Sequence, residues 1–287
     1  MTMLPRERCD YSAVVDRPPL KLPDGARIIF WSIVNLEVWD IGKAMARQVI
    51  PPPTGQMLLP DVPNWSWHEY GMRVGVWRFF ELFQRLGIKP TLAINARVCE
   101  DYVRVAEQAK SDGWEFMGHA YEQGPIHKVD DQTAMIKRTM DVIERFTGEK
   151  PVGWLGPGLT ETLETPDLLA AAGVKYIGDW VYDDEPTTIR TANGTLVTLP
   201  YTLELNDIPM MLVQHHESDY LLKRTIVLPI MIFPPTWLPF FFFWATSDAM
   251  RQPRSWQCRG TSRGSARRSR RRRRDAAPHT RRSARDT

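Results

Sequence analysis

Residues able to do chemistry recur in this chain wherever a short apolar run gives out. Asn35 and Glu37 follow the run IIFWSIV at 28–34. Residues two apart on an extended segment face the same side, so both side chains would point one way. A carboxylate there can move a proton or hold a metal; the plain alternative is a loop asparagine and a surface glutamate. His119 follows EFMG at 115–118. A neutral imidazole in that place could bind a divalent ion or hydrogen-bond a ligand. A lone histidine is more often structural, and it is Glu37 that raises its weight. Asp179 and Trp180 close the run at 176–180, an acid beside an indole, which suits a polar ligand with an apolar face such as a sugar or a ureide. With Asp183 and Asp184 just beyond, solvated loop acids are the alternative. Trp154 opens a turn with three glycines and a proline in 153–158, where a ligand can approach the backbone closely. Trp67 lies in DVPNWSWHEYG at 61–71, whose aromatic density suggests an ordered lid or wall. His215 and His216 are adjacent, so at most one could enter a site from a strand.

These candidates need elements to hold them. Strands are expected at 28–34, 91–95, 115–119, 152–156, 176–180 and 196–201, and helices at 74–87, 101–113, 131–148 and 165–173. Strands alternating with glycine-terminated helices argue for a parallel sheet with helices packed outside. The number of strands favours a barrel, and no GxGxxG follows the first strand to suggest a dinucleotide site. In barrels the chemistry sits at the C-terminal ends of the strands, where Glu37, His119 and Asp179 fall.

Composition narrows the function classes. The 287 residues are 43% hydrophobic and 25% charged, ordinary for a globular protein, with a net charge of +3. That charge is uneven: residues 251–287 hold 14 arginines against Asp275 and Asp286, a surplus of about twelve, which leaves the remainder near minus nine. An acidic body does not suggest nucleic-acid binding. Cys9, Cys99 and Cys258 are widely spaced and imply neither a disulfide framework nor a thiolate zinc site. The first residues, polar and charged, show no secretory signal, so a cytoplasmic location is expected.

The strand-end residues together resemble the polysaccharide deacetylase (NodB-homology) superfamily, and more narrowly its cytoplasmic, allantoinase-like branch. The resemblance spans roughly residues 5–224 and rests on Asn35-Leu36-Glu37, on 91–95, on Gly118-His119, on 153–158 and on Asp179-Trp180. It implies an α/β fold, a distorted (β/α)7 barrel, and hydrolysis of non-peptide C–N bonds: N-deacetylation of an amino sugar or a related amide or ureide. It implies catalytic roles for Glu37, His119 and Asp179, with Glu37 and His119 as metal donors, and substrate contacts from Asn35, Trp154, Trp180 and Trp67. A divalent metal such as zinc and a metal-independent site are both compatible with it. The sequence departs from the family in three places. Asn35 stands where a general base is expected, Gln123 stands four residues after His119 where a second histidine is expected, and Trp154-Leu155 replace an arginine. A two-histidine site would need His127 from a rearranged loop.

The family's closing strand and helix are not recognisable after Arg224. Residues 226–246 are almost wholly apolar, but Pro229, Pro234, Pro235 and Pro239 argue against a membrane-spanning helix. The Arg-only tail, rich in Ser and Ala, is what a GC-rich gene yields when read out of frame, so a frameshift near codons 222–228 is expected. Four segments follow: an arm at 1–24, the barrel at 25–224, an apolar Pro-rich segment at 225–250 and an Arg-rich disordered tail at 251–287. The leading reading is a hydrolase acting on a small-molecule or oligosaccharide substrate, inactive if the missing motif is essential, with a homo-oligomer compatible. A catalytically degenerate binding protein on the same barrel is the alternative. Nucleic-acid binding through the tail ranks below both.

Overall fold

The computed structural model describes residues 2–232 apart from Arg27, Ala46, Arg47, Pro53 and Thr54, with side chains described as far as 225. The tail at 251–287 and all but the start of the apolar segment lie outside the described residues.

Seven strands form one sheet: β1 Ile33–Leu36, β2 Thr91–Ile94, β3 Glu115–Gly118, β4 Gly153–Trp154, β5 Tyr176–Ile177, β6 Thr187–Thr191 and β7 Gly194–Thr198. Their spatial order is β1-β2-β3-β4-β5-β7-β6. All neighbours are parallel except β6 and β7, which form an antiparallel hairpin around Ala192-Asn193. The α/β class and the parallel sheet agree with the sequence reading. The sheet does not close among the described residues: β1 and β6 are its edges, so the barrel is a distorted, open one. The sequence pattern did not anticipate β6.

Helices connect the strands: α1 Pro5–Arg8, α2 Val62–Tyr70, α3 Val76–Leu86, α4 Val98–Asp101, α5 Val103–Ser111, α6 Gln132–Thr147, α7 Thr165–Ala171 and α8 Asp219–Ile232. α3 buries Val76, Phe80 and Phe83 at helical spacing, against Trp114 and the β1–β3 face. It stops at Gly87, whose φ of 65° only glycine adopts without strain. α6 starts on Asp131, whose side chain accepts the Ala134 N–H, and buries Ile136, Met140 and Ile143.

One expectation needs correcting. The first strand runs over 33–36 rather than 28–34, leaving Ile28, Ile29 and Phe30 exposed. The ladder begins where β2 begins, with the Thr91 N–H bonded to the Ser32 carbonyl. In addition, the start of the apolar segment is helical: α8 carries the backbone through Pro229 as far as Ile232. No helix among the described residues is long and apolar enough to cross a membrane.

The loop at 40–73 becomes a wall built on α2. Asp61 caps this helix by accepting the Asn64 N–H, and buried Asn64 bonds both backbone groups of Ile50. Glu69, also buried, accepts from Tyr102 and from Arg73. A π-helical turn, Gly71–Gly75, then runs into α3. On the far side, Arg8 is fully buried, gripping both carboxylate oxygens of Asp167 and the carbonyls of Leu163 and Arg190.

Candidate functional site

The C-terminal ends of β1, β2 and β3 converge on Asn95. This side chain is buried; its oxygen accepts the Val38 N–H, and its amide donates to the His119 carbonyl and to Gln123 Oε1. Three strand ends are thus locked by one amide, and Glu37 and His119 meet beside it. Glu37 Oε1 lies 3.5 Å from His119 Nε2, while Oε2 accepts from Trp39 Nε1 at 3.1 Å.

His119 is almost wholly buried, and its Nδ1 lies 2.5 Å from the Leu155 carbonyl. A carbonyl can only accept, so Nδ1 carries the proton and Nε2 is left facing Glu37, with no hydrogen-bond partner among the described residues. Burial pushes the Glu37 carboxyl up, but His119, Trp39 and His68 together outweigh it and hold the group below its ordinary value. Glu37 is therefore a carboxylate at neutral pH.

A second imidazole approaches from α2. His68 stacks on Trp39 at 4.6 Å between ring centroids, and the exposed Trp67 meets it edge-on at 5.1 Å. Burial lowers the His68 pKa, and the Glu37 charge opposes that shift. On the other flank, Asn35 is exposed and its amide donates to the Tyr201 hydroxyl at 3.3 Å; Asn206 donates to the same oxygen at 2.9 Å. Asp207 is raised by burial and, less, by the Glu37 charge.

Asp179 belongs to a second cluster. Its Oδ1 accepts the Gly156 N–H at 2.6 Å, and Glu161 Oε2 accepts from Trp180 Nε1 at 2.7 Å. The remaining oxygens, Asp179 Oδ2 and Glu161 Oε1, are buried with no other donor. Burial first, and then each acid's closeness to the other, raises Asp179 well above the carboxylate range; burial likewise raises Glu161. Two carboxyl groups so placed disfavour each other's ionisation. They line a cavity of about 480 Å³ with His127, Leu159, Thr162, Leu163 and Trp180. The two clusters touch through the backbone, since Leu155 holds His119 and its neighbour Gly156 holds Asp179.

The structure thus brings Glu37 and His119 together, puts Asn35 and Trp67 on their flanks, and assigns Asp179, Trp180 and His127 to the neighbouring cavity. Trp154 is a correction: it is 0% exposed, packed in the core against Gly118, and offers no surface to a ligand. Sequence reasoning missed Glu161, His68 and Tyr201. The aromatic density at 61–71 was a signal for His68; Glu161 and Tyr201 had none, because only tertiary contact places them.

A metal needs more than this pair. His119 is oriented as a ligand would be, with its distal nitrogen fixed by a carbonyl and Nε2 free. Yet no group of three or more His, Cys, Asp or Glu side chains able to hold a metal occurs among the described residues, and catalytic zinc takes three protein ligands. Gln123 is held by Asn95 rather than turned to the pair. The residues described do not fit a resident metal.

Comparison with known proteins supports the family resemblance. Residues 67–177 match the polysaccharide deacetylase family model. A peptidoglycan deacetylase of Helicobacter pylori is 23% identical over 148 residues, 51% of this chain and 50% of that one, so the match spans about half the length of the curated relative. Among solved structures, Puue allantoinase superposes with a TM-score of 0.66 at 23% identity, covering 78% of this chain and 80% of its own. A probable polysaccharide deacetylase from Pseudomonas aeruginosa PAO1 gives a TM-score of 0.60 at 23% identity, covering 76% and 74%. These structural likenesses establish the NodB-type fold. Polysaccharide deacetylases as a family are hydrolases of non-peptide C–N bonds.

Proposed function

We propose that this chain, which carries the polysaccharide deacetylase pattern over residues 67–177, hydrolyses a non-peptide C–N bond in an acetamido sugar or a related amide or ureide, with Glu37 and His119 as the reacting pair. The observation that carries this reading is the fixed tautomer of His119: Nδ1 is committed to Leu155, and Nε2 is presented to an ionised carboxylate 3.5 Å away. Glu37 takes a proton from the attacking water as its oxygen bonds to the carbonyl carbon. Glu37 passes that proton to the bare Nε2 of His119, which delivers it to the leaving nitrogen as the C–N bond breaks. The products are a carboxylic acid and an amine, and the pair ends as it began, with Glu37 ionised and Nε2 bare. Asn35 and Tyr201 on one flank and Trp67 on the other bind the remainder of a small-molecule or oligosaccharide substrate. Trp180 and Asp179 extend this surface into the neighbouring cavity. The reading places the protein in the cytoplasm and is compatible with a homo-oligomer.

The exposed Asn35 favours a second reading, since an amide stands where the resemblance expects a base: a binding protein that holds the same ligands without turnover. Amine release from N-acetylglucosamine oligomers and from allantoin separates the two. Hydrolysis by the wild type that is lost in Glu37→Gln and His119→Ala supports the enzyme. Binding without amine release supports the degenerate barrel.

A further inference from the structure

The wall at 61–71 contains one polar ring with no structural task. His68 Nε2 is buried and has no hydrogen-bond partner among the described residues. A buried ring nitrogen without a partner loses its hydration and gains nothing in return, and a phenylalanine would stack on Trp39 without that cost. Nor does the ring hold α2 in place. The helix is fastened on either side of it by Asn64, bonded to Ile50 and capped by Asp61, and by Glu69, bonded to Tyr102 and Arg73. What the ring does have is position. It lies face to face with Trp39, the residue whose indole N–H grips Glu37, and Trp67 meets it edge-on.

We propose that His68 is a substrate-contacting residue of the Glu37–His119 site, hydrogen-bonding through Nε2 a polar group that flanks the scissile C–N bond. This rests on the proposed hydrolase reading and adds to it a second imidazole, supplied by the wall at 61–71 rather than by the position four residues after His119. The group it takes is one that neutral imidazole recognises, a sugar hydroxyl or an amide N–H or carbonyl, and the stacked Trp39 keeps the ring from turning away. Because the contact is made to a part of the substrate that does not change in the reaction, it contributes to binding more than to the chemical step.

The test uses the full chain with N-acetylglucosamine oligomers and allantoin as probes, comparing His68→Phe, His68→Ala and His68→Gln. His68→Phe keeps the stack and removes the nitrogen. It should raise KM about tenfold, the loss of one ordinary hydrogen bond, with kcat changed less than about threefold. It should also melt at or above the wild-type temperature. His68→Ala should show a similar rise in KM, and His68→Gln, which keeps a polar group at that reach, should recover most of it. If His68→Phe has the wild-type KM while Glu37→Gln is inactive, the ring is only packing and the inference fails alone. Should Glu37→Gln remain active, or the wild type hydrolyse no probe, the hydrolase reading fails and the inference with it.

Discussion

Glu37 and Asp179 both follow parallel strands and are both largely withdrawn from water, yet their neighbours drive them in opposite directions. Glu37 faces an imidazole, an indole N–H and a second imidazole, and its carboxyl is held below its ordinary value. Asp179 faces another acid, and with burial this pushes it well above. Burial costs a charge in both places; what differs is whether the nearest group offers a proton or competes for one. The first region is therefore poised to accept a proton at neutral pH, and the second holds its own more tightly than an isolated carboxyl would. Two features that look alike in the sequence, an acid at a strand end beside a tryptophan, are chemically unlike because Trp39 donates to Glu37 itself, whereas Trp180 donates to Glu161.

The largest expected effect falls on the first region. Glu37→Gln removes the proton acceptor while keeping the shape, and kcat/KM for the best substrate should fall by about 10²–10⁴, read from amine release. A loss of less than tenfold would mean that the reacting acid lies elsewhere, with the Asp179–Glu161 pair the first place to look. Next in size is a stability effect beside the second region. Arg8→Ala leaves Asp167 without its bidentate partner and opens the space that the guanidinium fills. Because Asp167 keeps some solvent, the cost should be roughly 2–4 kcal/mol, measured by denaturant melts. A change below about 0.5 kcal/mol would show that the arm does not brace this side of the sheet.

Two glycines separate the regions more finely. A Cβ on Gly118 would sit 2.8 Å from the ring of Trp154, which is buried and has nowhere to move; a Cβ on Gly156 would sit 2.7 Å from the Thr160 carbonyl. Each alanine substitution should cost about 1–3 kcal/mol. Gly118→Ala should also reduce activity at least tenfold because it precedes His119, whereas Gly156→Ala should act mainly on the cavity. Equal losses of activity in both would argue that the clusters work as one site.

How much of this could be read from the sequence follows the range of the interactions. Helix α6 was legible within a residue at each end, because Asp131 and Gly148 punctuate it and its apolar spacing is local. β2 and β3 were legible because each is a short, largely apolar segment closed by Asn95 or His119. β1 was misplaced because its extent is set by its pairing with β2, which starts at Thr91, 58 residues from Ile33 along the chain. β6 was missed because it pairs only with β7, in a hairpin outside the βα rhythm. In the site, Glu37 and His119 were legible as strand-end residues. Trp154 was misread because a tryptophan beside glycines looks like a ligand wall, whereas the glycine at 118 exists to let its ring pack. Glu161 was invisible, since nothing local marks it and only Asp179, reached across the cavity, gives it meaning.

The smallest effect is also the one that tests the comparison most directly, since the two regions should leave opposite marks on stability against pH. For Glu37 the folded pKa is lowered, so its contribution is fully present above the unfolded value, about 4.3, and is lost as pH falls through the folded one. For Asp179 and Glu161 the folded values are raised. Their contribution is fully present below the unfolded values, about 3.9 and 4.3, and is lost as pH rises through the folded ones. Melting temperatures taken from pH 3 to 8 should therefore show an acid limb that Glu37→Gln flattens. They should also show a decline above about pH 4 that Glu161→Gln removes, because a glutamine amide can donate to Asp179 Oδ2 where the two acids disfavour each other's ionisation. Glu161→Gln should thus melt higher than the wild type at pH 8 and nearly the same at pH 4. If both variants flatten the same limb, or Glu161→Gln melts lower at pH 8, the second acid pair does not hold its protons more tightly than isolated carboxyls would and the contrast between the regions is lost.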